Sequence, residues 1–179
     1  MISIPSPPRG FTLLEMLVAV AIAGIVAAGA LPSLQQLFDR RRVEGHAAQL
    51  AADLHFARFD AVTRNRPVRF SVFGRAGAGT CYLVHTGAPG SCRCAADGAT
   101  SCEDGARPLR SVAFAADSGF WVESNVASLG FDPLHGTSTP AGVLQLRSER
   151  GLGVQHVVNV MGRIRSCPPK VAAGGSGTC

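Results

Sequence analysis

The sequence predicts an α+β fold, with a long N-terminal helix packed on an antiparallel β-sheet head. Three observations carry this. An apolar run occupies residues 11–31, an apolar stripe at helical spacing follows it, and beyond Pro67 the pattern breaks into short segments separated by Gly- and Pro-bearing turns. A chain of 179 residues accommodates one ordinary domain plus an anchor or tail.

Hydrophobic residues make up 46% of the chain and charged ones 16%, and the apolar excess is concentrated near the N-terminus. In residues 11–31 Glu15 is the only charge. At about 1.5 Å per residue a helix of that length spans the roughly 30 Å hydrocarbon core of a bilayer, so the run reads as a single transmembrane segment. A cleaved signal peptide is the alternative, with Ala28-Gly29-Ala30 as its cleavage site. Glu15 argues against it, because an ionisable group inside an apolar helix is costly and marks a partner.

After Pro32 the residues Leu34, Leu37, Phe38, Val43, Ala47, Leu50, Ala51, Leu54, Ala57 and Ala61 recur at steps of three and four, the signature of an amphipathic helix over about 33–65. Arg40, Arg41 and Arg42 read as a solvated face of that helix or as contacts to lipid headgroups. Pro67 ends it, and segments 68–73, 81–85, 109–114, 120–122, 127–131, 143–146 and 154–160 read as strands. The Gly- and Cys-rich stretch 87–107 lacks periodicity and reads as a cross-linked surface loop. The expected organisation is therefore a leader at 1–10, a membrane and assembly helix at 11–31, an amphipathic helix at 32–66, a β head at 67–171 and a Gly/Ser-rich tail at 172–179.

Six cysteines, Cys81, Cys92, Cys94, Cys102, Cys167 and Cys179, read as disulfides in an exported small domain. Fifteen complete pairings are open; Cys179, on the loose tail, is tied back most economically to Cys167. A zinc site built from Cys92, Cys94, Cys102 and His85 competes, but Cys-x-Cys is not the usual pair spacing.

The formal charge is +5, and every cation except Lys170 is Arg, which suits planar contacts with phosphate or carboxylate. From Val143 onward Arg147, Arg150, Arg163, Arg165 and Lys170 face one acid, Glu149, so five cations less one acid leave a local excess of +4. Such an excess attracts a polyanion weakly and with strong salt dependence. Enzyme chemistry finds no support: His46, His55, His85, His135 and His156 are scattered, and no Gly-x-Ser-x-Gly or His-Glu-x-x-His string occurs. No cofactor is implied.

The string Arg9-Gly10-Phe11-Thr12-Leu13-Leu14-Glu15 resembles the processing site of type IV prepilins and of type II secretion pseudopilins. The resemblance implies that a prepilin peptidase cuts after Gly10 and methylates Phe11. It also implies that Glu15 pairs with the N-terminal ammonium of a neighbouring subunit during assembly. The physics agrees, since a carboxylate in an apolar helical bundle needs a cation. Pro32 falls where such pilins bend the helix. The implied protein is a single-pass subunit of the bacterial inner membrane with its head in the periplasm, assembling with other minor and major pilins or pseudopilins into a filament.

Farther on, Trp121, Phe131-Asp132-Pro133-Leu134 and Gly162-Arg163-Ile164-Arg165 resemble the head of the GspH/FimT group. In FimT-type minor pilins a Gly-Arg-x-Arg motif is implicated in DNA binding during natural transformation, which points here to Gly162, Arg163 and Arg165, with Arg147, Arg150 and Lys170 in support. On a strand, Arg163 and Arg165 share one face about 6.6 Å apart while Ile164 faces the core. The competing expectation is a GspH-like minor pseudopilin with a structural role, in which these Arg side chains pair with Asp132 or Glu149. Tyr82 and Trp121 are distant in sequence from the basic tail, so contact with the backbone of double-stranded DNA is expected rather than base stacking.

Overall fold

A computed structural model describes residues 10–167, with the side chains of residues 27–33 also left undescribed. It confirms the α+β class. The chain divides into two compact units, one ending at Arg40 and one starting at Arg41. Helix α1 (Leu13–Thr63) supplies residues to both.

In the first unit Thr12 caps α1: its hydroxyl accepts from the Glu15 amide at 3.3 Å, and its carbonyl from that of Met16 at 3.2 Å. The apolar side chains from Phe11 to Val26 are exposed. Among the described residues no helix is long and apolar enough to cross a membrane. Residues 27–31, which complete the apolar run of the sequence, lie outside the described side chains.

In the second unit α1 buries Val43, Ala47, Leu50, Leu54, Ala57 and Ala61, the later part of the stripe expected from the three-and-four spacing, whereas Leu34, Leu37 and Phe38 of that stripe are exposed. The helix stops where Asn65 takes a positive φ of 49° and the Arg66 amide bonds back to the Ala61 carbonyl, just ahead of Pro67. Eleven strands follow: β1 (Val68–Arg75), β2 (Gly79–Thr86), β3 (Cys92–Cys94), β4 (Thr100–Cys102), β5 (Pro108–Phe114), β6 (Phe120–Ser124), β7 (Ser128–Phe131), β8 (Ser138–Thr139), β9 (Gly142–Ser148), β10 (Gly153–Val158) and β11 (Ile164–Cys167). They form antiparallel sheets of order β5-β2-β1-β7-β8 and β11-β10-β9-β6, plus the small hairpin β3-β4.

One core joins α1 to both larger sheets through residues such as Leu50, Leu54, Phe70, Tyr82, Leu129, Phe131, Leu144 and Leu146. Two polar ties index the layers. The Tyr82 hydroxyl donates to Asp53 Oδ2 at 2.9 Å, and Arg110 pairs with the other oxygen of Asp53 while lying 3.9 Å over the Phe56 ring. The Val122 amide donates to Thr80 Oγ1 at 3.0 Å, a buried bond between the sheets.

The stretch 87–107 differs from the sequence expectation. It contains the hairpin β3-β4, held by Cys92–Cys102 and tied to β2 by Cys81–Cys94. Three-residue strands are too short to show alternation, and covalent bonds replace the burial that would have shown in the pattern. The zinc alternative fails for the same reason: Cys92, Cys94 and Cys102 are consumed by two disulfides, and His85 Nε2 is bonded to Ser71 Oγ at 2.9 Å. Cys167 is also disulfide-bonded, whereas Cys179 lies outside the described residues.

Candidate nucleic-acid interface

The site grows from the turn between β10 and β11, where Asn159 closes a tight loop. Its amide donates to the Arg163 carbonyl at 3.1 Å, its carbonyl accepts from the Gly162 amide at 2.9 Å, and its Oδ1 accepts from the Arg163 amide at 2.9 Å. Gly162 sits at φ 71° and is buried. A Cβ there would overlap the carbonyl oxygen of Gly136 and come within 2.9 Å of Arg58 Nε. Only glycine combines that backbone conformation with that approach. Arg58 Nε in turn donates to the Gly136 carbonyl at 2.9 Å, and the Ser138 amide donates to the Val160 carbonyl at 2.9 Å.

The partner loop is equally fixed. Asp132 accepts from the amides of Leu134 and His135 at 3.0 and 2.8 Å and lies 3.3 Å from His135 Nδ1. These bonds, the His135 amide foremost, hold its carboxyl below the usual carboxylate range. Asp132 is thus committed to its own turn.

Arg163 precedes β11 and Arg165 lies within it, opposite Val157. Both are exposed, while Ile164 between them packs against the core. Among the described residues neither Arg side chain makes an ion pair or hydrogen bond, with Asp132, Glu149 or anything else.

The other cations are not gathered here. Arg147 Nε lies 3.3 Å from Glu123 Oε2 and donates to Gln145 Oε1 at 3.0 Å. It is two strands away from β11 and four residues along β9 from Val143, which is level with Arg165. At about 4.8 Å per strand and 3.4 Å per residue that is roughly 17 Å. Arg150 is exposed in the turn between β9 and β10, and Lys170 lies outside the described residues.

Sequence distance misleads about the aromatics. Tyr82 is buried on Asp53, but Trp121 pairs across strands with Arg147 on the same sheet as Arg165, its indole donating to Glu123 at 2.8 Å. A shallow cleft of about 510 Å³ on that sheet is lined by Glu123, Asn125, Gln145, Arg147 and Gln155. Three of the histidines are structural: His46 packs on Phe114 and Phe120 with ring centroids 5.3 and 4.9 Å apart, and His85 and His156 are buried. Burial pushes His156 down to about 4. His46 is therefore not the surface spacer its polarity suggests. At the N-terminus Gly10, Phe11 and Glu15 are all exposed.

A capped helix, a two-sheet antiparallel head and a Gly-Phe-x-x-x-Glu start define a pilin-like filament subunit. Residues 46–162 match the family described as type II transport protein GspH, and residues 6–31 match the prokaryotic N-terminal methylation motif. The chain belongs to the GspH family, whose members are pilin and pseudopilin subunits rather than enzymes.

Among solved structures the type IV minor pilin FimU of Pseudomonas aeruginosa is similar at 19% identity, over 78% of this chain and 96% of that one, with a TM-score of 0.53. A second crystal form of FimU gives 21% identity, 72% and 98% coverage, and a TM-score of 0.52. The minor pseudopilin EpsH from the type 2 secretion system of Vibrio cholerae is similar at 12% identity over 72% of this chain and 98% of that one, with a TM-score of 0.44. No curated protein matches the chain significantly.

Proposed function

We propose that this chain is a minor pilin of a type IV pilus that binds double-stranded DNA without sequence preference, for uptake in natural transformation. In this reading a prepilin peptidase cuts after Gly10, and residues 11–31 anchor the subunit in the bacterial inner membrane with the head in the periplasm. Glu15 then pairs with the N-terminal ammonium of a neighbouring pilin. The apolar sequence run and the methylation motif at residues 6–31 support that part.

The observation that carries the DNA reading is the pair Arg163 and Arg165, exposed and with no side-chain partner among the described residues, beside a turn locked by Gly162. Two guanidinium groups carried on a preorganised backbone turn contact phosphates without reading bases. The test is duplex binding by the purified chain across a salt series. Arg163→Gln with Arg165→Gln should flatten the slope of log affinity against log salt by roughly two units, about 0.9 for each phosphate released. Equal slopes for wild type and double variant would remove the claim.

A second reading, a minor pseudopilin with a structural role in type II secretion, is favoured by the description of the matching family. It predicts no DNA affinity at low salt and a secretion defect when the gene is deleted.

A further inference from the structure

We propose that Val160 and Met161, at the tip of the β10-β11 turn, form an apolar wedge that enters the minor groove of duplex DNA beside Arg163 and Arg165. The inference rests on the DNA reading above and adds a second kind of contact to it.

Val160 and Met161 are 60% and 65% exposed, and Leu134, in the loop that seats the turn, is 73% exposed. Single exposed apolar residues are ordinary, but two adjacent ones on a tight turn are held in water at a cost that a partner would relieve. Their backbone is rigid. Asn159 closes the turn, the Val160 carbonyl accepts from Ser138, and Gly162 is buried against Gly136. A preorganised tip loses little conformational entropy on docking.

The charges around it select the partner. Arg163 and Arg165 offer two cations with no acid partner among the described residues, and the nearby Asp132 is already held by two amides and His135. A protein surface would have to bring carboxylates to both Arg side chains. Duplex DNA lines its minor groove with phosphates on both sides, so both Arg side chains can meet a phosphate while the tip faces the groove. Apolar side chains set between base steps, flanked by Arg, are the chemistry of minor-groove contact. Unstacking is cheapest at flexible or mismatched steps, so a weak preference for deformable DNA follows.

The experiment uses the full chain in detergent micelles and a labelled duplex of about 20 base pairs, titrated at several salt concentrations. Val160→Ser with Met161→Ser should weaken binding about fivefold at every salt and leave the slope unchanged, because apolar contacts release no counterions. The Arg163 and Arg165 double variant should change the slope instead. Wild type should bind a duplex with a central mismatch about threefold tighter than the matched one, and the Ser variant should lose that preference. Met161→Leu, which keeps the apolar bulk, should behave as wild type, and thermal unfolding confirms that each variant is folded.

If the Ser variant binds as wild type while the Arg variant does not, the wedge is overturned and the DNA reading stands. If the Ser variant binds DNA normally but is missing from sheared filaments, the tip is a subunit contact and the wedge is again overturned. If wild type binds no duplex at low salt, both fall together.

Discussion

Gly162→Ala tests the frame on which the candidate interface is built. An alanine there must adopt φ near 71°, which costs an L-residue about 1–2 kcal/mol. Its Cβ would also overlap the Gly136 carbonyl oxygen, which is backbone and cannot rotate away as a side chain would. Displacing that loop adds about 1–3 kcal/mol, comparable to overpacking a core. The matched control is Gly151→Ala, at φ 77° with nothing within 4 Å of an added Cβ, which should bear the conformational cost alone. Urea unfolding followed by circular dichroism reads both. With a slope near 1.5 kcal/mol per molar, Gly162→Ala should lower the midpoint by about 2 M and Gly151→Ala by about 1 M. DNA affinity should fall in the first variant although both Arg side chains remain. Equal midpoints for the two variants would refute the close approach of the turn to Gly136, and with it the account of why glycine opens the Arg motif.

Tyr82→Phe removes one of two partners of a buried carboxylate and should cost about 1–2 kcal/mol in the same assay; no change would mean that Arg110 alone satisfies Asp53. His156 titrates near 4 in the fold against about 6.5 unfolded, so the unfolded chain takes up the proton first. Stability should therefore fall as pH drops from about 6.5 to 4, by up to about 3 kcal/mol, and His156→Gln should flatten that fall; parallel curves would exclude His156 as a source. A non-reducing peptide digest should yield Cys81 joined to Cys94 and Cys92 joined to Cys102, and a Cys92–Cys94 peptide would contradict the fold. N-terminal sequencing of the membrane-extracted chain should begin at Phe11; a start near Ala30 would indicate an ordinary signal peptide.

The stripe Val43, Ala47, Leu50, Leu54, Ala57 and Ala61 was legible because a helix repeats its environment every three to four residues over several turns. Seven of the strands were legible from alternation and turn residues. Strands β3, β4 and β8 were not, being only two or three residues long, and β11 showed only through the alternation of Arg163, Ile164 and Arg165. Arg163, Ile164 and Arg165 read as outward, inward and outward, but the reason for Gly162 lay in Gly136, a residue remote in sequence. The same remoteness hid Trp121 beside Arg147 and joined Asp53, Tyr82 and Arg110 across three elements. Such pairings depend on sheet order, which local pattern does not encode.

The two disulfides interleave along the chain, since Cys92 lies between Cys81 and Cys94 while Cys94 lies between Cys92 and Cys102. As the polypeptide emerges, Cys81 meets Cys92 before it meets Cys94, so an oxidant that joins cysteines in order of appearance makes the wrong bond first. Reaching the native pairing then requires thiol exchange, which a disulfide isomerase accelerates. Production of correctly linked subunit should therefore depend on isomerisation as well as oxidation. A host able only to oxidise would accumulate a Cys81–Cys92 product with Cys94 and Cys102 left to pair with each other.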